Sequence, residues 1–264
     1  MTINSTNYAR EVQDLSKVAG SSLEKIAAGI AINQASDNVS DLALSNLLES
    51  QRSTVSQSLS NINNGIAMSN IAQGGLNEQA NLLEKMNTLT IQSNTATTSD
   101  EGKAAIKEEI SKYVEQFSNI AESTNYSGKQ LLANDTNDLS ITTGDDSYVD
   151  MQSSDTKSIA MKLEEALKSF EQDPKSFADQ LKQSMDDVSN AQSQFSSASN
   201  QMESSGRTAI AQEATLEEAS SAIVGVDYSK EVSNFSKSNI QAQIGMIVSS
   251  QANAVMERNV RLLS

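Results

Sequence analysis

The sequence contains no cysteine, no histidine and no tryptophan, and only one proline in 264 residues. Without cysteine there are no disulfides, thiolate metal sites or sulfur nucleophiles, and without histidine the commonest metal ligand and general base is gone. Much enzyme chemistry is thereby closed, and the chain reads as a structural protein rather than an enzyme, with no catalytic, cofactor or metal residues. Lack of cysteine fits an oxidising exterior or passage through an export channel, though cytosolic proteins also lack it. Aromatic residues are 4% of the chain, so core burial has to come from Leu, Ile, Val, Ala and Met along long elements. With a single proline, few positions stop a helix. Basic residues are scarce as well. Nineteen Lys and Arg against 34 Asp and Glu give a formal charge of −15, which repels phosphate backbones and anionic lipid, so nucleic acid and membrane are not expected as partners. No window reaches the ~18 apolar residues of a membrane span, and MTINSTNYAR lacks the cationic and apolar segments of a cleavable secretory signal. If the protein is secreted, it takes another route.

What is present is helical periodicity. Leu15, Val18, Leu23, Ile26 and Ile30 recur at helical spacing, break at NQASDN, and resume through Leu44, Leu47 and Leu48. From Val55 a 4,3 alternation runs through Leu59, Ile62 and Ile66, passes the polar Ser69 and Gln73, and continues to Leu76, Ala80 and Leu83, a coiled-coil-like seam. Gly74 and Gly75 lie inside it, either admitting a close neighbour or simply tolerated, and tolerance is the preferred reading. Thr98 and Glu101 have capping-box spacing and predict the start of a helix to about Ser123, with Ile106, Ile110, Val114, Phe117 and Ile120 inward. A turn-rich stretch with alternating Leu139 and Ile141 predicts one or two short hairpins. Helix returns near Ser158, pauses at Asp173 and Pro174, and continues with Phe177, Leu181, Met185, Val188, Phe195 and Met202. Beyond Gly225, an amphipathic helix is expected on Val232, Phe235, Ile240, Ile244, Val248 and Val255.

These elements predict a mainly α protein: an elongated antiparallel helical bundle or coiled coil of the N- and C-terminal halves, with a small β-hairpin region in the centre. Periodicity leaves open whether the outermost helices order on assembly with other copies, the expectation here, or pair with each other in one chain. The adjacent carboxylates Glu108 and Glu109, Glu164 and Glu165, Asp186 and Asp187, and Glu217 and Glu218 point about 100° apart on a helix and read as solvated faces. Asp145 and Asp146 beside Gly144 lack the spacing of a calcium loop and read as a hairpin turn.

Specific strings go further. SSLEKIAAGIAINQASDNVSDLALSN, with Gly29, Ile32, Asn33, Ala35 and Asp37 in a Gly-x-x-Ile-Asn-x-Ala-x-Asp break, is followed in order by NINNGIAMSNIAQGGLNE, LTIQSNT and STNYSGKQLL, and then by VDYSKEVSNFSKSNIQAQ and SQANAVMERNVRLL near the end. In these strings the chain resembles the bacterial flagellin family over nearly its whole length. The resemblance implies a minimal flagellin of filament-core helices and inner rod without outer domains. It places core helices at 1–45 and 225–264 and the inner rod at 46–224, with a short β region near 125–157. It implies a secreted subunit that polymerises with other copies into the flagellar filament for motility, served by the type III export apparatus, a secretion chaperone, and cap and junction proteins. A flagellin-like secreted or minor filament protein and a hook-filament junction protein are the alternatives. Residues carried by the family strings are Gly29, Asn33, Asp37, Asn125, Tyr126, Gly128, Asp227, Tyr228, Glu231, Val232, Phe235 and Ile244. Ala31 and Ser264 stand where the family often has Arg. LLEKMNTLTIQS resembles the surface that animal innate immune receptors recognise, with Leu89 and Glu109 matching but Lys85 in place of Arg and Thr88 in place of an acid. Lys lacks the planar guanidinium fork, so host receptor recognition is expected to be weak or absent.

Overall fold

A computed structural model describes residues 5–95, 98–133, 139–144, 147–151 and 154–263. Among them lie six helices and four short strands: α1 (Ser5–Ala28), α2 (Val39–Ser93), α3 (Asp100–Ser123), β1 (Asn125–Tyr126), β2 (Lys129–Gln130), β3 (Leu139–Gly144), β4 (Ser147–Met151), α4 (Thr156–Lys168), α5 (Pro174–Val224) and α6 (Tyr228–Leu263). The mainly α fold with a central β region is as expected from the sequence. The chain divides into two compact units, Met1–Arg52 with Ala214–Ser264, and Ser53–Glu213. The second is built on the core.

In that second unit, Val55, Ile62, Ser69, Leu76 and Leu83 on α2 are buried while Leu59, Ile66, Gln73 and Ala80 are half-buried, so the 4,3 alternation marks one continuous inward seam. Its polar members are accounted for. Ser69 donates to the Phe195 carbonyl of α5 at 2.7 Å, which satisfies a buried hydroxyl and ties the two long helices together. The helices are antiparallel, with Asn77 accepting from Gln192 at 2.9 Å. On α3, Ile106, Ile110, Val114 and Phe117 are buried and Ile120 packs against them, as the spacing predicted. Phe170, in the link between α4 and α5, meets Phe177 edge-on with centroids 5.3 Å apart. Asp173 accepts from the Ser176 N–H at 3.1 Å and Pro174 opens α5, so the N-cap and first-turn proline are as read.

Two expectations change. The N-cap of α3 is Ser99, whose hydroxyl accepts from the Gly102 N–H at 3.1 Å, whereas Thr98 donates to the Gln92 carbonyl of the preceding helix. The capping oxygen has to come from the residue directly before the first helical turn, and Thr98 is one place too early. Second, the two glycines are not equivalent. A Cβ on Gly74 meets nothing within 4 Å, but one on Gly75 would lie 2.6 Å from Thr124 Oγ1 and 2.9 Å from Leu132 Cδ1. Gly75 is therefore a place of close approach, and tolerance describes Gly74 alone.

The centre holds two antiparallel hairpins. In the longer, Leu139 faces Met151 and Ile141 faces Val149, with an irregularity between Thr142 and Gly144. The turn residues Asp145 and Asp146 lie outside the described residues. In the shorter, Asn125 pairs with Gln130 and Tyr126 with Lys129, so the turn has two residues, Ser127 (φ 51°) and Gly128 (φ 84°). Both are left-handed, as a two-residue hairpin turn matching strand twist requires, and Gly128 meets that requirement without strain. Ser127 does not. Replacing it with Asn, which tolerates this region, is expected to stabilise the second unit by about 0.5–1 kcal/mol, read as a higher urea midpoint at unchanged slope.

Candidate functional site

In the unit formed by residues 1–52 and 214–264, α1 and α6 run antiparallel. The chain ends thus pair within one molecule, the alternative that the sequence left open. The pairing face of α6 is not the one expected. Among its described residues Ser238 and Ala242 are buried and Gly245 and Phe235 partly covered, and α6 packs on α1, where Ala19 and Ser22 are buried. A Cβ on Gly245 would come within 2.5 Å of Val12 Cγ2, so this glycine permits close helix approach. Small residues of α6 sit at the centre of the contact, and most of its described large apolar residues stay exposed. Val232, Ile240, Ile244, Met246, Ile247, Val248 and Val255 are all between 41% and 58% exposed. Apolar residues distributed around a helix imply burial by something more than one neighbour.

The break after α1 is a compact joint. Gly29 (φ 70°) ends α1 in the left-handed conformation that only glycine adopts freely, its N–H reaching the Lys25 carbonyl at 2.9 Å. A Cβ there would also lie 3.1 Å from the Tyr228 hydroxyl. Ile30 then bridges Gly225 antiparallel, and the Ala31 N–H donates to the Val224 carbonyl at 2.7 Å. Asp37 closes the loop. One carboxylate oxygen accepts from the N–H groups of Asn33 (3.1 Å) and Gln34 (3.0 Å), and the other pairs with Lys25 at 2.9 Å. Asn38 caps α2 through the Ser40 and Asp41 N–H groups, and Asp227 caps α6 through that of Lys230 at 3.1 Å. Glu231 accepts from Asn234 at 3.3 Å. Arg52, between Glu217 and Glu49, links the first turns of α2 to the end of α5.

The hydrogen bond from Lys25 does most to hold the Asp37 carboxyl below its ordinary value of 3.8, with the two backbone N–H groups adding to it against the opposing effect of burial. A folded-state value below the unfolded one means stabilisation that is present above the unfolded carboxylate's range and lost as pH falls through the folded value. Asp37→Asn is expected to cost on the order of 1 kcal/mol at neutral pH. The difference from the native chain should shrink below about pH 4, measured by thermal melts of both proteins from pH 7 to pH 2.

The sequence-derived residues therefore fall into four groups. Gly29, Asn33, Asp37, Asp227, Tyr228 and Glu231 gather at or beside the joint. Val232 and Ile244 lie exposed on α6, with Phe235 half-buried. Asn125, Tyr126 and Gly128 form the short hairpin in the other unit, where the Asn125 side-chain N–H donates to the Ser123 carbonyl at 2.9 Å and Tyr126 donates to Asn64 at 3.2 Å. Lys85 and Glu109 meet at Tyr113, while Leu89 lies nearby in sequence on α2. Lys85 Nζ sits 5.9 Å from the ring centroid, the Tyr113 hydroxyl donates to Glu109 at 3.2 Å, and Leu89 packs against the core. Burial, reinforced by Glu109, raises the Tyr113 phenol above its ordinary range.

Sequence reasoning missed Lys25, the Ile30 to Gly225 bridge, Tyr113 and the small-residue face of α6. The last had a signal, because Ser238, Ala242, Gly245 and Ser249 recur at helical spacing. Of the adjacent carboxylates, Glu108 and Glu109 are divided between partners, Glu108 pairing with Lys112 and Glu109 accepting from Tyr113. Among the described residues no three His, Cys, Asp or Glu gather as a metal site would need.

These features define a helical protein whose terminal helices present apolar surface beyond their own pairing. Residues 2–137 match the bacterial flagellin N-terminal helical region, and residues 178–263 the bacterial flagellin C-terminal helical region. The chain belongs to the bacterial flagellin family. It is 36% identical to Flagellin B of Vibrio cholerae over 111 residues, 42% of this chain and 30% of that protein, and 34% identical to Flagellin B of Vibrio anguillarum over 148 residues, 53% of this chain and 39% of that one. The matched segments thus span well under half the length of these relatives. Among solved structures, a flagellar hook-associated protein from Vibrio parahaemolyticus superposes with a TM-score of 0.63 at 13% identity, covering 72% of this chain and all of the other. Bacillus cereus flagellin gives 0.50 at 19% identity, covering 57% and 88%. At these identities the likeness is one of fold.

Proposed function

We propose that this chain is a structural subunit of the bacterial flagellar filament, exported from the cell and polymerised with other copies for motility. The observation that carries the reading is α6, which turns Ser238 and Ala242 toward α1 and leaves Val232, Ile240, Ile244, Met246, Ile247, Val248 and Val255 exposed. Burying such a surface at roughly 25 cal/mol per Å² supplies the drive for association, and a filament needs a contact that does not close on itself. On this reading residues 1–45 and 225–264 form the filament core and 46–224 the inner rod. Val232, Phe235 and Ile244 act in assembly, Gly29, Asn33, Asp37, Asp227, Tyr228 and Glu231 hold the joint, and Asn125, Tyr126 and Gly128 shape the inner rod. The protein has no catalytic role. The export apparatus, a secretion chaperone, and cap and junction proteins are its other partners.

Electron microscopy of the purified chain under polymerising conditions tests this, together with a deletion strain. Filaments in the first and loss of normal filaments in the second are expected. A motile deletion strain with unchanged filaments would assign the chain a minor or secreted role instead.

Host receptor recognition is weak on the same reading, because Lys85 is engaged by the Tyr113 ring and lacks the guanidinium fork. Titration on receptor-expressing cells should show low potency that rises in Lys85→Arg. Full potency of the native chain would contradict it.

A further inference from the structure

The sequence holds one Asn-Gly pair, Asn64-Gly65, a combination that ordinarily marks a tight turn. Here it lies far inside α2, within the Ser53–Glu213 unit. Packing accounts for the glycine. A Cβ on residue 65 would collide with Met202 Sδ of α5 and lie 3.0 Å from Ile141 Cγ1 of β3, and Met202 is fully buried, with no solvent to turn into. The asparagine has its own use, since its side-chain oxygen accepts from the Tyr126 hydroxyl of the short hairpin at 3.2 Å. Two separate demands thus set side by side two residues that can react with each other.

The reaction is intramolecular deamidation. The Gly65 backbone nitrogen, giving up its proton, attacks Cγ of Asn64; an N–Cγ bond forms, the Cγ–Nδ2 bond breaks, and ammonia leaves with the proton. Glycine favours the attack because no side chain shields its nitrogen. Water then opens the five-membered imide. Cleavage of the N–Cγ bond gives aspartate, whereas cleavage between the nitrogen and the Asn64 main-chain carbonyl carbon gives isoaspartate, whose backbone runs through Cβ and Cγ. One water is consumed and one ammonia released.

Burial of the side chain does not prevent this, because Asn64 is exposed. The backbone does. In an α-helix the Gly65 N–H belongs to the ladder of i to i−4 hydrogen bonds and ψ is held near about −42°, whereas ring closure needs a free nitrogen and a different rotation. Fraying does not reach this point. Ile62, Gly65, Met68 and Ser69 are all buried, so the nitrogen is released only when the unit itself opens.

We propose that Asn64-Gly65 is a deamidation site closed by the folding of α2, and that a chain held unfolded acquires isoaspartate there and loses the ability to rebuild the Ser53–Glu213 unit. The two products differ in consequence. Aspartate leaves the backbone intact, and its carboxylate still accepts from Tyr126. Isoaspartate adds one atom to the main chain between Ile62 and Ser69, so the seam residues before and after it no longer share one face of the helix. This holds whether or not the chain polymerises.

The full chain is incubated at mildly alkaline pH in native buffer and in guanidinium chloride, and isoaspartate is followed by peptide mass spectrometry and by methyl transfer from an isoaspartyl methyltransferase. A synthetic peptide of residues 60–68 in both solvents corrects for the solvent itself. Isoaspartate at position 64 should form at least about a hundredfold faster in the unfolded chain, the least factor by which folding depletes the open state. After dilution from denaturant, the fraction regaining the native melting transition should fall as isoaspartate rises. Asn64→Gln, whose longer side chain does not close the five-membered ring, should keep its refolding yield through the same incubation. Freshly made Asn64→Asp should refold as the native chain does, placing the damage in the added backbone atom and not in the charge. Equal rates in the folded and unfolded chains would show that α2 does not guard the pair and would overturn the proposal. So would full refolding of isoaspartate-bearing chains, or an equal loss of refolding in Asn64→Gln.

Discussion

A chain truncated before residue 225 stays soluble and forms no filament at any concentration at which the native chain polymerises. The truncation removes α6 with its exposed apolar residues and also takes from α1 the helix it packs on, since α1, with Ala19 and Ser22 buried, pairs with α6. Most helical stability in a protein comes from packing an amphipathic face, and the 24-residue α1 would lose that packing. The helical signal should therefore fall by more than the 36 residues of α6, because α1 melts with it. The Ser53–Glu213 unit should be nearly untouched. Its buried core runs from Ile62 to Met202 and contains no residue of α1 or α6, so its melting midpoint is expected to shift little. Sedimentation, electron microscopy and circular dichroism check the three parts. Normal filaments from the truncated chain would remove the basis for assigning assembly to the terminal helices. Loss of the Ser53–Glu213 melting transition would show that the two units do not fold independently.

How much of this was readable beforehand depends on where a burial pattern points. The α2 seam from Val55 to Leu83 was legible because a 4,3 alternation leaves one face for the core, and even its polar members Ser69 and Gln73 fall on that face. Asp173 and Pro174 were legible because cap chemistry is local. The apolar residues of α6 were legible as a set but not in their destination. Sequence shows that Val232, Ile240, Ile244 and Val248 require burial; it does not say whether their cover lies in the same chain or in another copy. The small residues that make the intramolecular contact, Ser238, Ala242 and Gly245, do recur at helical spacing, but they carry too little hydropathy for a search on apolar residues to mark them. Lys25 and Asp37 were invisible as a pair for another reason. Their ion pair spans a non-helical turn, where no fixed spacing relates charge partners. The family strings marked Gly29, Asn33 and Asp37, and the structure supplies their physical cause: a left-handed helix end, two N–H groups to satisfy, and one carboxylate that satisfies them while meeting a lysine.

The two central glycines make the sharpest comparison of that kind, because one residue type at adjacent positions should give opposite results. Gly74→Ala is expected to stabilise the Ser53–Glu213 unit by up to about 1 kcal/mol, since the added methyl meets open space and the helix gains alanine's propensity. Gly75→Ala adds the same propensity but drives a methyl against Thr124 and Leu132, and neither neighbour is free to withdraw. The Thr124 hydroxyl donates to the Ile120 carbonyl at 2.7 Å, ending α3, and its own carbonyl accepts from the Leu131 N–H at 3.0 Å. Leu132 is fully buried, and its carbonyl accepts from both the N–H and the hydroxyl of Thr156 at 2.9 Å. Thr156 in turn accepts from Gln79, one turn beyond Gly75 on the same helix. The methyl is thus opposed by a closed hydrogen-bonded ring of four segments, and overpacking of this kind costs about 1–3 kcal/mol. At about 2–4 °C per kcal/mol for a unit of this size, the two variants should melt several degrees apart on opposite sides of the native chain. Thr124→Ala separates crowding from any other cause. It removes the nearest atom, so in that background Gly75→Ala should lose most of its penalty, giving a favourable coupling in a double-mutant cycle. A Gly75→Ala variant as stable as Gly74→Ala would mean that α2 and α3 can part without loss at this point, and the close approach would then be incidental rather than the reason a glycine stands inside the longest helical seam of the chain.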